Sequence, residues 1–264
     1  MTSNHNGTTA PKILLWDIET MKMRIEMDTY SLKQFSKYLR YQDITRPVTI
    51  FCVAWQWLGQ PIVSSTSVLN DPERFDKCHW DDYHVVKTIH QLIEEADIIV
   101  AHNGDNFDWK VFNARCLYHG FKPAKKPLMI DTLKIARKEF KVESNTLGYL
   151  CKFLGVEDKM HSPNWDKIAQ GDIDEIAEAE KYCRGDIRSL RGVYEKLRPF
   201  ATSHPNFNVF KNAEEMGGCR HCDSVKLMKR GFVYTKAGKY QRYQCLECGT
   251  WSQSKKNLIK VDIR

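Results

Sequence analysis

The chain has 264 residues, with 40 Lys/Arg against 33 Asp/Glu for a formal charge of +7 and 42% hydrophobic residues, enough to bury one sizeable core and a small appendix. A disordered tail protein is excluded, no apolar run approaches the roughly 20 residues of a membrane span, and the polar start MTSNHNGTTAPK lacks the apolar stretch of a secretory signal. The expectation is a soluble, cytoplasmic protein with no membrane partner. The basic surplus is C-terminal: residues 212–264 hold 11 Lys/Arg and 5 Asp/Glu, residues 1–211 hold 29 and 28, which suits a polyanionic partner or a plain solvated surface.

In chain order, residues 1–11 read as a flexible leader. KILLWDIE (12–19) reads as a buried strand that ends in two acids, and 22–45 as an insertion of mixed signals. VTIFCVAWQWL (48–58) and PIVSSTSVL (61–69) flank Gly59-Gln60 as a hairpin, which with the first strand predicts a three-stranded antiparallel meander. After a charged loop over 70–82, Val86, Ile89, Ile93 and Ala96 recur at helical spacing and lead into the strand IIVA. Asn103-Gly104 breaks that strand, and Phe107, Val111, Phe112 and Leu117 form a second helical stripe that Gly120 stops. LMID (128–131) is a short strand, Asp131-Thr132 caps the next helix, and Thr146 to Leu154 gives another helix ended by Gly155. A long helix over about 173–198 closes the series before Pro199. Strands first in a meander and then alternating with helices imply an α/β fold, a mixed sheet flanked by helices, over 12–201. Residues 202–211 read as a linker, and 212–264 as a second unit.

Asp17 and Glu19, two apart on a strand, project from one face at its C-terminal end, where they either share a cation or share a proton. Asp108 falls at the start of a helix, as a metal ligand or as an ordinary N-terminal acid. Asp186 borders the apolar stripe of the long helix, and a salt bridge to Arg184, Arg188 or Arg191 is the alternative to a metal. Tyr182 lies one turn earlier on the same face. Taken together, the four acids suit two Mg²⁺ or Mn²⁺ ions, which need hard oxygen ligands and would activate water against a phosphodiester, with Tyr182 orienting that water.

Asp17-Ile18-Glu19-Thr20, Asn103-Gly104-Asp105-Asn106-Phe107-Asp108 and Tyr182-Cys183-Arg184-Gly185-Asp186 resemble, in order, the three exonuclease motifs of the DEDD superfamily in its tyrosine (DEDDy) subgroup, which includes the proofreading domains of family B DNA polymerases. The resemblance covers about 12–198 and is similar in its run of elements to stand-alone ribonuclease H-like exonucleases of bacteria and their phages, implying the cytoplasm of a bacterial or phage-infected cell. It implies a 3′-to-5′ exonuclease with Asp17, Glu19, Asp108 and Asp186 as metal ligands and Tyr182 as the water-positioning residue. Asn103 and Phe107 match positions that support the site or the substrate strand, and Thr20 is a candidate contact to the terminal nucleotide. The histidine subgroup is set aside because Lys occupies position 181. His102 reads as structural.

Cys219-X₂-Cys222 and Cys245-X₂-Cys248 form two tight knuckles, the spacing of a closed tetrahedral thiolate site. Structural zinc is the expectation, with rubredoxin-type iron or a redox use as alternatives. The other five cysteines have no pairing logic, so no disulfides are expected. A hairpin around Lys236-Ala237-Gly238 would bring the knuckles together as a small C-terminal zinc ribbon, with His221 an exposed residue inside the first knuckle. Phe232, Tyr234, Tyr240, Tyr243 and Trp251 interleave with basic residues. Lys229, Arg230, Arg242 and Tyr243 are the candidate substrate contacts, the competing reading being aromatics that fill a miniature core. Arg242-Tyr243-Gln244-Cys245 with Gly249 resembles zinc ribbons attached to transposases and similar DNA enzymes.

The expected activity is therefore phosphodiester hydrolysis from 3′ ends, with DNA preferred by analogy and RNA open. An endonuclease of the same fold and a non-catalytic nucleic-acid-binding adaptor are the alternatives. A replication or repair partner remains unnamed by the residues.

Overall fold

The structure, a computed structural model, describes residues 11–28, 39–156, 162–211 and 217–259. The leader over 1–10 and part of the 22–45 insertion lie outside them. A central strand β1 (Ile13–Met21) is followed by a two-residue β2 (Arg24–Ile25), β3 (Ile44–Arg46), β4 (Thr49–Trp57), β5 (Ser64–Ser67), β6 (Ile98–Ala101) and β7 (Leu128–Asp131). The main sheet has the order β5-β4-β1-β6-β7. β1 runs antiparallel to β4 and parallel to β6, so the meander and the later parallel strands merge in one mixed sheet. The described part of the insertion is no loop: β2 pairs with β3 as a separate ribbon.

The helices are α1 (Pro72–Lys77), α2 (Tyr83–Glu95), α3 (Asp108–Tyr118), α4 (Thr132–Glu139), α5 (Leu147–Leu154), α6 (Trp165–Ala169) and α7 (Ile173–Leu197). α1 occupies the stretch expected as a charged loop, where Asp71 caps its first turn by accepting from Arg74 N–H. The hairpin's second strand is only four residues long; Val68–Asn70 turn as a 3-10 helix because Asn70 Oδ1 accepts from Ser67 N–H. On α3 the buried face carries Trp109, Phe112 and Cys116, whereas Leu117 is 83% exposed and Phe107 43%. The buried stripe is thus rotated by about one position from the expected one.

Because β1 is flanked by strands on both sides, the ILLW run is buried throughout. Trp16 meets Phe112 of α3 edge-on, with ring centroids 6.2 Å apart. The opposite parity, Asp17 and Glu19, faces α7, whose Cys183 lies against Asp17. One salt bridge stands inside this core: Asp82, wholly buried, accepts from Arg115 Nε and Nη2 at 2.7 Å and from Ile50 N–H at 2.9 Å, with His119 Nε2 at 2.6 Å. Burial raises its carboxyl, but these bonds outweigh that and hold it below the usual carboxylate range. With its lone pairs so engaged, Asp82 locks helix to sheet and is a poor metal ligand.

A second, three-stranded sheet in the order β10-β9-β8 follows, from β8 (Leu227–Thr235), β9 (Gly238–Cys245) and β10 (Trp251–Asn257). The first two strands are the expected hairpin; the third adds an edge that the sequence pattern does not announce. All nine cysteines are free of disulfides. No helix among the described residues is long and apolar enough to cross a membrane.

Candidate functional site

The C-terminal half of β1 carries Asp17 and Glu19 on one face, and its pairing with β4 shifts register between Glu19 and Thr20. Bulges of this kind re-aim side chains. Asp17, Glu19 and Cys183 bring ligand-capable atoms within 4.8 Å of one another. Cys183 Sγ donates toward Asp17 O across 3.6 Å, tying the strand to α7.

Asp108 reaches the same strand from the other side. Its Oδ1 accepts from the backbone N–H of Ile18, between the two β1 acids, at 3.3 Å. The loop before it is built for this approach. Asn103 adopts φ +68°, its N–H donates to Asp131 Oδ1 at 2.9 Å, and its carbonyl accepts from Asn106 and Phe107 N–H. At Gly104 a Cβ would stand 2.4 Å from Ala101 Cβ, so the loop can fold back only on a glycine. Burial above all, and the charge of Asp131, push the Asp108 carboxyl up to about 7, against the backbone N–H groups that favour its anion.

Asp186, one turn after Tyr182 on α7, is 4% exposed and lines a cleft of about 560 Å³ together with Asp17, His102, Asn103, Leu133, Arg137 and residues 143–147. Two of the three arginines offered as its alternative partners bond acids of α7 itself. Arg184 stands 3.6 Å from Glu180, and Arg191 donates to Glu195 at 3.0 Å. Tyr182 packs edge-on against Trp165, ring centroids 6.2 Å apart. His102 Nδ1 lies 2.9 Å from Thr132 Oγ1, whose hydroxyl donates to Ala101 O; the histidine buttresses β6 and α4 as expected. Thr20 is set apart, lining a neighbouring cavity with Lys22, Arg24, Arg46 and Trp165. Phe107 holds an exposed ring at the start of α3.

Three contributors escape sequence reasoning. The local pattern marks Asp131 only as a helix cap, which it is, accepting from Leu133 and Lys134 N–H. It also pins Asn103, and its Oδ2 is buried with no hydrogen-bond partner among the described residues. Arg137 and Asn145 line the cleft from α4 and the loop after it, and nothing in their local pattern distinguishes them from surface residues.

The donor set fits hard divalent cations: Asp17 and Glu19 stand side by side on β1, Asp186 of α7 lines one cleft with Asp17, and Asp108 of α3 bonds the β1 backbone between the two acids, its carboxyl raised by burial and by the charge of Asp131.

A model of the RNase_H superfamily matches residues 64–198, about half of the chain, from β5 through α7. The chain belongs to this superfamily. As an RNase_H superfamily member it is 32% identical over 123 residues to DNA polymerase III PolC-type of Ureaplasma parvum serovar 3; the match spans 46% of this chain but only 8% of that polymerase. In fold it is similar to a family B DNA polymerase from the hyperthermophilic archaeon Pyrobaculum calidifontis, with a TM-score of 0.53 and 14% identity over 89% of this chain and 32% of that one.

The cysteine cluster forms a second candidate site. Cys219, Cys222, Cys245 and Cys248 bring their sulfurs within 4.8 Å of one another, with Cys219–Cys248 at 3.5 Å and Cys222–Cys245 at 3.6 Å. A tetrahedron with Zn–S of about 2.3 Å has edges of about 3.8 Å. Burial pushes the Cys219 and Cys222 thiols up, a cost that a bound cation would offset. His221 is wholly buried, correcting its expected exposure. Its Nδ1 donates to Arg198 O at the end of α7, at 2.9 Å, and its ring lies 4.3 Å from that of His204. Residues 202–211 are therefore no loose tether: Phe207 is buried with the main core.

The register separates the candidate ribbon contacts. Lys229 and Tyr243 are cross-strand partners and share a face; Arg230 falls in the bulge between Lys229 and Phe232. Arg242 points the other way and stacks over Trp251, 4.4 Å from its ring centroid.

Proposed function

We propose that the chain is a two-metal-ion nuclease of the DEDDy type, a 3′-to-5′ exonuclease on single-stranded DNA ends, with an exonuclease domain over 12–201, a connector over 202–211 and a four-cysteine zinc ribbon over 212–264. The observation that carries this reading is that Asp17 of β1 and Asp186 of α7 line one cleft, with Asp108 bonded to the β1 backbone next to Asp17 and Tyr182 a turn from Asp186. The similarity to a segment of a DNA polymerase III PolC-type protein supports a role in DNA processing.

Asp17, Glu19, Asp108 and Asp186 would hold Mg²⁺ or Mn²⁺, and such ions, when bound, supply Lewis acidity toward water and toward a phosphodiester. Tyr182 holds the attacking water by its hydroxyl. That water forms the new P–O bond as the bond to the 3′ oxygen of the preceding nucleotide breaks, leaving a 3′-hydroxyl and releasing a nucleoside 5′-monophosphate. Arg137, at the rim of the cleft, suits a non-bridging phosphate oxygen. The exposed Phe107 ring offers a stacking surface for a terminal base. Cys219, Cys222, Cys245 and Cys248 would hold Zn²⁺, which when bound would supply folding free energy that so small a sheet lacks, and the basic ribbon would hold nucleic acid.

The test is a time course on 5′-labelled linear and covalently circular DNA and RNA with Mg²⁺ or Mn²⁺, alongside Asp17→Ala and Asp186→Ala. Ladders shortening from the 3′ end with circles spared, lost in both variants, are expected. Cut circles would replace the exonuclease by an endonuclease, preference for RNA would change the substrate, and normal turnover by either variant would end the two-metal reading.

A further inference from the structure

The ribbon does not stand off from the rest of the chain; it closes a cleft of about 440 Å³ against residues 206–208, a volume in the range of sites that hold a small organic group. Asn206, Asn208, Arg220, Tyr243 and Ser252 to Ser254 are among its lining residues. Two of them leave polar atoms open. Asn208 spends its amide nitrogen on Asn206 Oδ1 at 3.1 Å and on Gly218 O at 2.9 Å, while its Oδ1 is buried with no hydrogen-bond partner among the described residues. Arg220 Nε is buried in the same condition. Two residues that line one cleft thus each hold a buried polar atom that no described residue satisfies, an acceptor on Asn208 and a cationic donor on Arg220, a polar capacity that a ligand offering both kinds of group would use.

Charge and register say which ligand. From 217 to 259 there are nine Lys/Arg and two Asp/Glu. Both acids are already paired, Asp223 with Lys211 and Glu247 with Lys226, so among the described residues of this unit no acid is left to offset the other Lys/Arg. Tyr243 belongs at once to the cleft and to a face of the sheet. Across the strands it opposes Lys229 and Ser252, while two steps away Gln241 opposes Phe232 and four steps away Lys239 opposes Tyr234. Directly opposed residues share a face. Lys239 Nζ sits 4.0 Å from the Phe232 ring centroid and 5.6 Å from that of Tyr234, and both rings are exposed. Cations interleaved with open aromatic rings are what an unpaired strand engages, phosphates on the one and bases on the other.

We propose that the Arg220 cleft and the Lys229–Phe232–Tyr234–Lys239–Tyr243 face continuous with it form one binding track for single-stranded nucleic acid, separate from the catalytic cleft, with a base or phosphate seated in the Arg220 cleft. The proposal rests on the reading of the ribbon as a nucleic-acid contact and adds which face and which pocket serve it.

The test uses the full chain carrying Asp17→Ala, so that hydrolysis does not consume the probe, and fluorescence anisotropy of a labelled oligodeoxythymidylate across a salt series. Zinc content is measured for every variant, and the Arg220, Tyr243 and Trp251 variants are compared only where they hold zinc at the parent's stoichiometry. Arg220→Gln and Tyr243→Ala are each expected to weaken binding roughly tenfold, and Arg220→Gln to flatten the dependence on salt. Trp251→Ala, on the opposite face, is expected to stay within about twofold of the parent. Wild-type affinity in zinc-loaded Arg220→Gln and Tyr243→Ala overturns the track, as does an equal loss in Trp251→Ala. Cys245→Ser separates the two levels. If it weakens binding while the cleft variants do not, the track alone fails; if it too binds as the parent does, the ribbon reading beneath it fails.

Discussion

Asp108→Asn in metal-free protein isolates the electrostatics of the catalytic cluster. The carboxyl of Asp108 is held at about 7, chiefly by burial and then by Asp131, against 3.8 for an ordinary aspartate. A carboxyl raised in the folded state binds its proton more tightly there than in the unfolded chain. Stability is thus unaffected below about pH 4, falls as pH rises toward 7, and stays reduced above it. At 1.36 kcal/mol per unit, a shift of about 3 units costs on the order of 4 kcal/mol at pH 8. Asparagine keeps an oxygen that can accept from Ile18 N–H and carries no charge, so the variant should recover most of that cost. For a chain of this size, 1 kcal/mol moves Tm by roughly 2–4 °C, which gives a rise on the order of 10 °C at pH 8 that vanishes near pH 4. The assay is thermal unfolding with chelator, pH 4 to 8, followed by titration of Mg²⁺ or Mn²⁺. Added metal should raise the Tm of the wild type far more than that of Asp108→Asn, because only the wild type has the anion to gain. Equal melting of the two proteins at pH 8 without metal, or equal stabilisation by metal, would refute the account of Asp108 as an anion waiting for a cation.

Three other outcomes follow from the geometry. Gly104→Ala places a methyl 2.4 Å from Ala101 Cβ, which should cost roughly 1–3 kcal/mol and lower turnover by displacing Asp108; an unchanged Tm would show that the loop has slack. Arg137→Ala should reduce kcat/KM roughly tenfold while leaving Tm unaltered, and an undiminished kcat/KM would remove it from the phosphate path. Cys245→Ser should release zinc, measured by metal analysis, and weaken binding to single-stranded DNA; full zinc retention would contradict the four-thiolate site.

What can be read from the sequence is whatever depends on local pattern. The strand–loop–helix order, the caps at Asp131 and Thr146 and the left-handed stop at Gly155 have their signals within a few residues. The acids are legible because each sits at an element end or beside an apolar stripe, where one carboxylate stands out. The contributions of Asp131 beyond its cap, Arg137 and Asn145 are not, because only the closure of β7 and α4 onto the loop after β6 brings them to the cleft. His221 escapes for the same reason. Between two zinc-ligand candidates it reads as a solvent-facing knuckle residue, and only the docking of the ribbon onto the end of α7 buries it.

That docking makes α7 the common frame of both sites. Asp186 lies within the helix, and Arg198, 12 residues on, offers its carbonyl to His221. At 1.5 Å per residue the two points are separated by about 18 Å along the axis. The junction between them is polar, with the Arg198 guanidinium over the Tyr194 ring: Tyr194 OH meets His204 Nε2 at 2.8 Å, and Thr250 Oγ1 stands 3.1 Å from both His221 Nδ1 and Cys248 Sγ. Burial first of all holds His204 down at about 4 and His221 at about 3, so both rings are neutral at physiological pH. A cysteine of the cluster therefore connects through one hydroxyl and one imidazole to the helix that carries Tyr182 and Asp186. A strand held by the ribbon would be presented to the acids at a distance fixed by a helix rather than left to a tether, and about 18 Å corresponds to roughly five nucleotides at the 3.4 Å spacing of a stacked strand. On that geometry, oligonucleotides too short to span both sites should be cut with the same kcat but a higher KM than longer ones, and Cys245→Ser should erase the difference.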